Sequence, residues 1–111
     1  MALPLETTVK DVKRRIDSGE KLVFIDVREP EEYAISKIPG SELVPMRAVP
    51  ANLQSLEAKS DGGVLVIYCH HGMRSLQVAN WLREQGVVEC QSMSGGIEAW
   101  SLEVDPSIPR Y

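Results

Sequence analysis

The sequence predicts an α/β fold built on a mainly parallel sheet, and three observations carry that expectation. Leu22-Val23-Phe24-Ile25 and Val64-Leu65-Val66-Ile67-Tyr68 are short continuous apolar runs. An apolar run without alternation suits a strand covered by helices on both faces. Segments with helical apolar spacing lie between and after these runs, so strands and helices alternate along the chain. The third observation is size: 111 residues, 43% hydrophobic and 25% charged, have an ordinary globular composition and enough length for one core rather than two. Residues 1–111 are therefore read as one domain.

Taken in order, the first element is a helix over 8–18. Thr8 can cap it, Val9, Val12 and Ile16 recur at helical spacing, and Gly19 stands where a left-handed stop is needed. The strand at 22–25 follows. Asp26-Val27-Arg28-Glu29-Pro30-Glu31-Glu32 then places proline and acidic residues as in a first helical turn, predicting a short helix over 30–35. Ile38-Pro39-Gly40 reads as a turn and Glu42-Leu43-Val44 as a short strand, with Pro45 and Pro50 leading into a helix near 50–58. After the strand at 64–68, Ser75 can cap a helix with Leu76, Ala79 and Leu82 on one face and Val78 beside them, ended by Gly86. Residues 90–93 read as a last strand, Gly95-Gly96 as a turn, and 97–100 as the start of a final short helix.

Charge and hydropathy remove several functions. Twelve Lys and Arg stand against 16 Asp and Glu, a net charge of -4, which gives no general grip on nucleic acid or an anionic membrane. Any bound anion has to be held locally. No apolar run approaches the roughly 20 residues that span a bilayer, and the first ten residues lack the basic start and apolar stretch of a signal peptide. A cytoplasmic location is expected, where the two cysteines, Cys69 and Cys90, are expected to stay reduced.

The chemistry concentrates where the strongest strand meets the strongest helix, in Cys69-His70-His71-Gly72-Met73-Arg74-Ser75. Ligands of open α/β sheets bind beyond the carboxyl ends of strands. A loop wrapping from Cys69 to the helix start can point successive N–H groups inward and cradle an anion, including the cysteine's own thiolate. Gly72 permits tight curvature, and Arg74 can fork onto an oxyanion. A metal site is not expected, because adjacent Cys69, His70 and His71 do not aim their ligand atoms at one ion and no C-x-x-C is present. A protease-like pair is equally poor, since both histidines directly follow the cysteine.

These motifs resemble those of single-domain rhodaneses along almost the whole chain. Ile25-Asp26-Val27-Arg28-Glu29-Pro30-Glu31-Glu32-Tyr33 is similar to the family's first signature, Ile38-Pro39-Gly40-Ser41 to the stretch that follows, and Gly95-Gly96-Ile97-Glu98-Ala99-Trp100 to its closing motif, with the Cys69 loop between. The resemblance implies a rhodanese-like three-layer fold, a five-stranded sheet with helices on both faces. It also implies a sulfurtransferase in which Cys69 takes sulfane sulfur from a donor such as thiosulfate, becomes a persulfide, and passes the sulfur to cyanide, a thiol or a sulfur-carrier protein. No cofactor beyond that covalent intermediate is implied. His70, His71, Gly72, Met73, Arg74 and Ser75 would bind substrate, and Asp26 and Arg28 would brace loops near the site.

Four residues separate Cys69 from Arg74, whereas related folds that hydrolyse phosphate esters or reduce arsenate use five, because a tetrahedral oxyanion needs a wider cradle. A non-catalytic persulfide carrier or protein-binding module is the alternative from another class. Cys90 reads as a buried apolar residue, with a resolving thiol as the alternative, and Trp81 and Trp100 read as packing residues. Two departures stand out: Ser36-Lys37 where the family commonly has Gly-His, and a tail over 104–111 similar to that of rhodanese domains fused to carrier-activating enzymes.

Overall fold

The computed structural model describes residues 3–111; Met1 and Ala2, at the start of the segment read for a leader, lie outside them. The elements are β1 (Glu6–Thr7), α1 (Val9–Asp17), β2 (Leu22–Asp26), α2 (Pro30–Ile35), β3 (Glu42–Leu43), α3 (Leu53–Lys59), β4 (Val64–Tyr68), α4 (Met73–Glu84), β5 (Cys90–Met93) and α5 (Gly96–Glu103). They form a five-stranded sheet in the order β1-β5-β4-β2-β3, with every pairing parallel.

The apolar runs are continuous because both faces of the central strands are covered. Leu65 and Ile67 of β4 point into a core with Ile25, Leu56, Val78, Ala79 and Leu82, beneath α3 and α4. Their neighbours Val66 and Tyr68 point the other way, into a core with Val9, Val12, Met93, Ile97 and Trp100, beneath α1 and α5. Burial of such side chains stabilises each layer by about 1.5–3 kcal/mol per large residue. Thr8 caps α1 through Oγ1, which accepts the Asp11 N–H at 3.1 Å. Gly19 and Gly86 take left-handed φ values of +90° and +96° just beyond α1 and α4.

Three expectations are corrected. β1 went unseen because it is two residues long without an apolar run; backbone pairing makes it, with the N–H groups of Ser92 and Ser94 donating to the carbonyls of Leu5 and Thr7 at 2.8 Å. The helix near 50–58 is shorter: Pro45 and Pro50 break the chain into 3₁₀ turns at Met46–Ala48 and Pro50–Asn52, and α3 starts only at Leu53. Ser75 does not cap α4. The helix begins at Met73, with Gly72 at the cap position, three residues before Ser75, and φ +107°. Ser75 is then in the first turn, buried, with Oγ donating to the Gly72 carbonyl at 3.2 Å.

Candidate active site at the carboxyl end of β4

Parallel strands bring their carboxyl ends to one rim, and the loop from β4 to α4 lies at its centre. Cys69 is 1% exposed. Its Sγ accepts the Gly72 N–H at 3.1 Å and the Ser75 N–H at 3.4 Å, and lies 3.5 Å from Ser75 Oγ. Ser75 Oγ is in turn 2.8 Å from Ser92 Oγ on β5. A sulfur met by amide donors at a helix start is an arrangement that accommodates negative charge.

The loop's carbonyls are drawn the opposite way, and the closing glycine motif explains how. The N–H groups of Ile97 and Glu98, in the first turn of α5, donate to the carbonyls of Cys69 and His70 at 2.9 and 3.1 Å. Gly96 has to be glycine here: with φ +59°, a Cβ would lie 2.4 Å from the His70 oxygen and 2.5 Å from the Cys69 oxygen. Gly72 faces the same junction, where a Cβ would come within 3.1 Å of the Gly95 nitrogen. With these carbonyls engaged outside, amide hydrogens are left to face the sulfur.

Around this loop runs a continuous polar chain. Asp26 and Arg28 form a fully buried ion pair, with Arg28 Nη2 2.6 Å from Asp26 Oδ2 and Nε 3.0 Å from both carboxylate oxygens. Burial works against the Arg28 charge, but Asp26 and the Tyr111 hydroxyl outweigh it and hold the guanidinium protonated. Arg28 also donates to the Ser36 carbonyl at 2.6 Å and to the Tyr111 hydroxyl at 2.8 Å. Tyr111 passes the chain on, donating to Glu32 Oε2 at 2.7 Å, and Glu32 receives Arg74 in a bidentate pair at 2.8 and 3.0 Å. The Arg74 guanidinium pulls the Glu32 carboxyl down to about 2, against the opposing push of burial. The Ser36-Lys37 departure is accommodated: Ser36 is extended and needs no glycine, although its buried Oγ has no partner, and Lys37 Nζ lies 4.8 Å from the centroid of the Tyr33 ring.

The remaining loop residues spread apart. His70 stacks between His71 and Tyr111 with both centroid distances at 3.9 Å. Burial, then His71, pushes the His70 pKa down, and its buried Nε2 has no hydrogen-bond partner. Met73 is 71% exposed. Both cysteines are free thiols, and among the described residues no cluster of three His, Cys, Asp or Glu could hold a metal. Reasoning from sequence missed Glu32, Ser92 and Tyr111 as parts of this rim. Glu32 is inside the first signature and could have been flagged there, whereas nothing local marks Ser92 or Tyr111.

Known proteins resemble this chain in sequence and in fold. Residues 8–103 match the model of the rhodanese-like domain. A putative sulfurtransferase, YtwF of Bacillus subtilis (strain 168), is 35% identical over 101 residues, covering 91% of this chain and 94% of its own length. The rhodanese-like/PpiC domain-containing protein 12, chloroplastic, of Arabidopsis thaliana is 46% identical over 92 residues, which are 79% of this chain; the match spans only 30% of that longer protein. A rhodanese-like domain protein from Staphylococcus aureus superposes with a TM-score of 0.77 at 28% identity, covering 97% of this chain and 99% of that one. With its five-stranded parallel sheet and its cysteine loop at the carboxyl rim, the chain belongs to the rhodanese-like domain family.

Proposed function

We propose that this protein, acting as one domain, is a sulfurtransferase that carries sulfane sulfur on Cys69. In the first displacement the Cys69 thiolate attacks the outer sulfur of a donor such as thiosulfate. A new S–S bond forms on Sγ, the donor's S–S bond breaks, and its electron pair leaves with the departing group, sulfite in the case of thiosulfate. In the second, a nucleophilic acceptor, which can be cyanide, a thiol or a sulfur-carrier protein, attacks the outer sulfur of the persulfide and releases the Cys69 thiolate. The sulfur atom moves without net oxidation of the protein, so no cofactor or metal is needed.

The observation that carries the reading is the pair of amide N–H groups, from Gly72 and Ser75, converging on Cys69 Sγ. Placed there, they would hold the negative charge on a thiolate or a persulfide much as an oxyanion hole holds oxygen. His70, His71 and Met73 would form the wall of the mouth, Arg74 its cationic edge, and Asp26 with Arg28 its brace. The Bacillus subtilis relative named "putative sulfurtransferase YtwF", matched over nearly its whole length, supports the same class. Among the described residues no helix is long and apolar enough to cross a membrane, and a reducing compartment such as the cytoplasm would keep both thiols free.

A second reading is favoured by the low exposure of Cys69: a persulfide carrier, loaded and emptied by partner proteins with negligible turnover of free donors. The test of the main reading is the intact mass of the reduced protein after incubation with thiosulfate, then cyanide, beside Cys69→Ser. A gain of one sulfur atom, absent from the variant and removed by cyanide, is expected. Retention of full transfer by Cys69→Ser would end the assignment, and loading without steady-state turnover would favour the carrier.

A further inference from the structure

We propose that Glu32 makes the mouth of the Cys69 loop discriminate against dianionic sulfur donors, so that the site takes sulfur from donors of low charge, such as alkyl persulfides, in preference to thiosulfate. This rests on the sulfur-transfer reading and narrows its donor class.

The cation the loop presents is Arg74, and both arms of its fork are engaged by Glu32. A bidentate guanidinium–carboxylate pair satisfies the geometry that a sulfonate would otherwise use. Glu32 is also more than a loose surface partner. Its Oε1 accepts the Glu29 N–H at 3.0 Å, its Oε2 accepts the Tyr111 hydroxyl at 2.7 Å, and that hydroxyl is held by Arg28, itself locked on buried Asp26. The Glu32 side chain is 19% exposed against 35% for Arg74. The carboxylate is therefore fixed from behind by two hydrogen bonds besides the two from Arg74, and a dianion has either to displace it or to sit beside it.

Other cations around the mouth do not compensate. Arg28 is fully buried and matched by Asp26, and Arg110 is paired with Glu98 at 2.6 Å. His70 is biased toward its neutral form by burial. A sulfonate thus meets arginines already balanced by carboxylates, whereas an alkyl persulfide, with at most one negative charge and no sulfonate, depends on them far less and requires mainly access to Sγ.

The test compares thiosulfate with 2-hydroxyethyl persulfide as donors, following Cys69 loading in the wild type, Glu32→Gln and Tyr111→Phe. Gln keeps the shape and the acceptor oxygen for the Glu29 N–H, so loss of charge is the main change. The wild type is expected to load faster from the persulfide. Glu32→Gln is expected to raise the ratio of thiosulfate to persulfide loading about tenfold, through a lower KM for thiosulfate. Tyr111→Phe, which removes one of the two hydrogen bonds to Glu32 Oε2 and loosens the carboxylate, shifts the ratio the same way by about threefold. In parallel, sulfate is titrated by NMR into Cys69→Ser with and without Glu32→Gln, and its Kd is expected to fall about tenfold. An unchanged donor ratio together with unchanged sulfate affinity, or faster wild-type loading from thiosulfate, overturns the proposal. If no donor loads Cys69 in any form, sulfur transfer itself fails, while the sulfate titration still decides whether Glu32 excludes anions.

Discussion

Cys69 and Cys90 lie at opposite ends of neighbouring parallel strands, the first just beyond β4 and the second opening β5. Both are almost wholly buried, yet their sulfurs meet opposite chemistry. Cys69 Sγ faces the N–H groups of Gly72 and Ser75. Cys90 Sγ donates to the carbonyls of Val87 at 3.3 Å and Ala79 at 3.7 Å, and burial pushes its thiol pKa up. The start of α4 gathers free N–H groups beside Cys69, whereas Cys90 meets a carbonyl from the middle of the same helix, Ala79, and one from the turn beyond it, Val87. Equal burial therefore leaves the two sulfurs in opposite backbone surroundings, N–H groups at Cys69 and carbonyls at Cys90.

The sharpest way to break the comparison is to exchange the cysteines' fates. Cys69→Ser should abolish sulfur loading altogether while Cys90→Ala leaves it, as read by intact mass, and loading that survives on Cys90 would show the two ends to be equivalent. Next in size is the charged brace at the carboxyl rim. Asp26→Asn leaves Arg28 buried without its counter-charge and should cost about 3–5 kcal/mol in urea unfolding.

Gly96→Ala tests whether the outward pull on the loop carbonyls matters. The Cβ would press on the His70 and Cys69 oxygens, so a loss of about 2–4 kcal/mol is expected, together with slower alkylation of Cys69 by iodoacetamide as its amide cradle opens. Cys90→Ala, at the other end, should cost only about 1 kcal/mol, the scale of a small cavity, and leave that alkylation rate unchanged. Equal costs for the two substitutions would contradict the picture of a constrained rim and a plainly apolar base.

The smallest effects separate the ends by pH. At the rim, Glu32 has a depressed pKa, so its contribution is present above 4.5, its ordinary value, and drains as pH falls toward about 2. His70, whose pKa burial pushes down, adds a loss of the same sign that begins as pH drops below 6.5 and continues through its lowered folded value. The raised Cys90 thiol behaves oppositely: its contribution is complete below 9.0 and is lost as pH rises through the folded value. Urea midpoints across pH should lose part of their acid slope in Glu32→Gln and part of their alkaline slope in Cys90→Ala. The reverse pairing would assign the titrations wrongly.

The sequence by itself determined the central strands, the alternation with helices, and the place of the Cys69 loop between the strongest strand and the strongest helix. These are local signals: an unbroken apolar run reports two covered faces, and glycine or proline reports a backbone that side chains disfavour. Ile25, Leu65 and Ile67 follow the first rule, and Gly19, Gly86 and Pro50 the second. The tertiary structure alone decided the rest. β1 exists because Glu6 and Thr7 fall beside Ser92 and Met93, a pairing made by backbone atoms that every residue carries. Arg74 meets Glu32 across 42 residues, and Tyr111 meets Arg28 across 83. No local periodicity encodes such contacts, because they form only when the parallel sheet has brought its carboxyl ends to one rim and polar groups distant in the chain come within hydrogen-bond reach of one another.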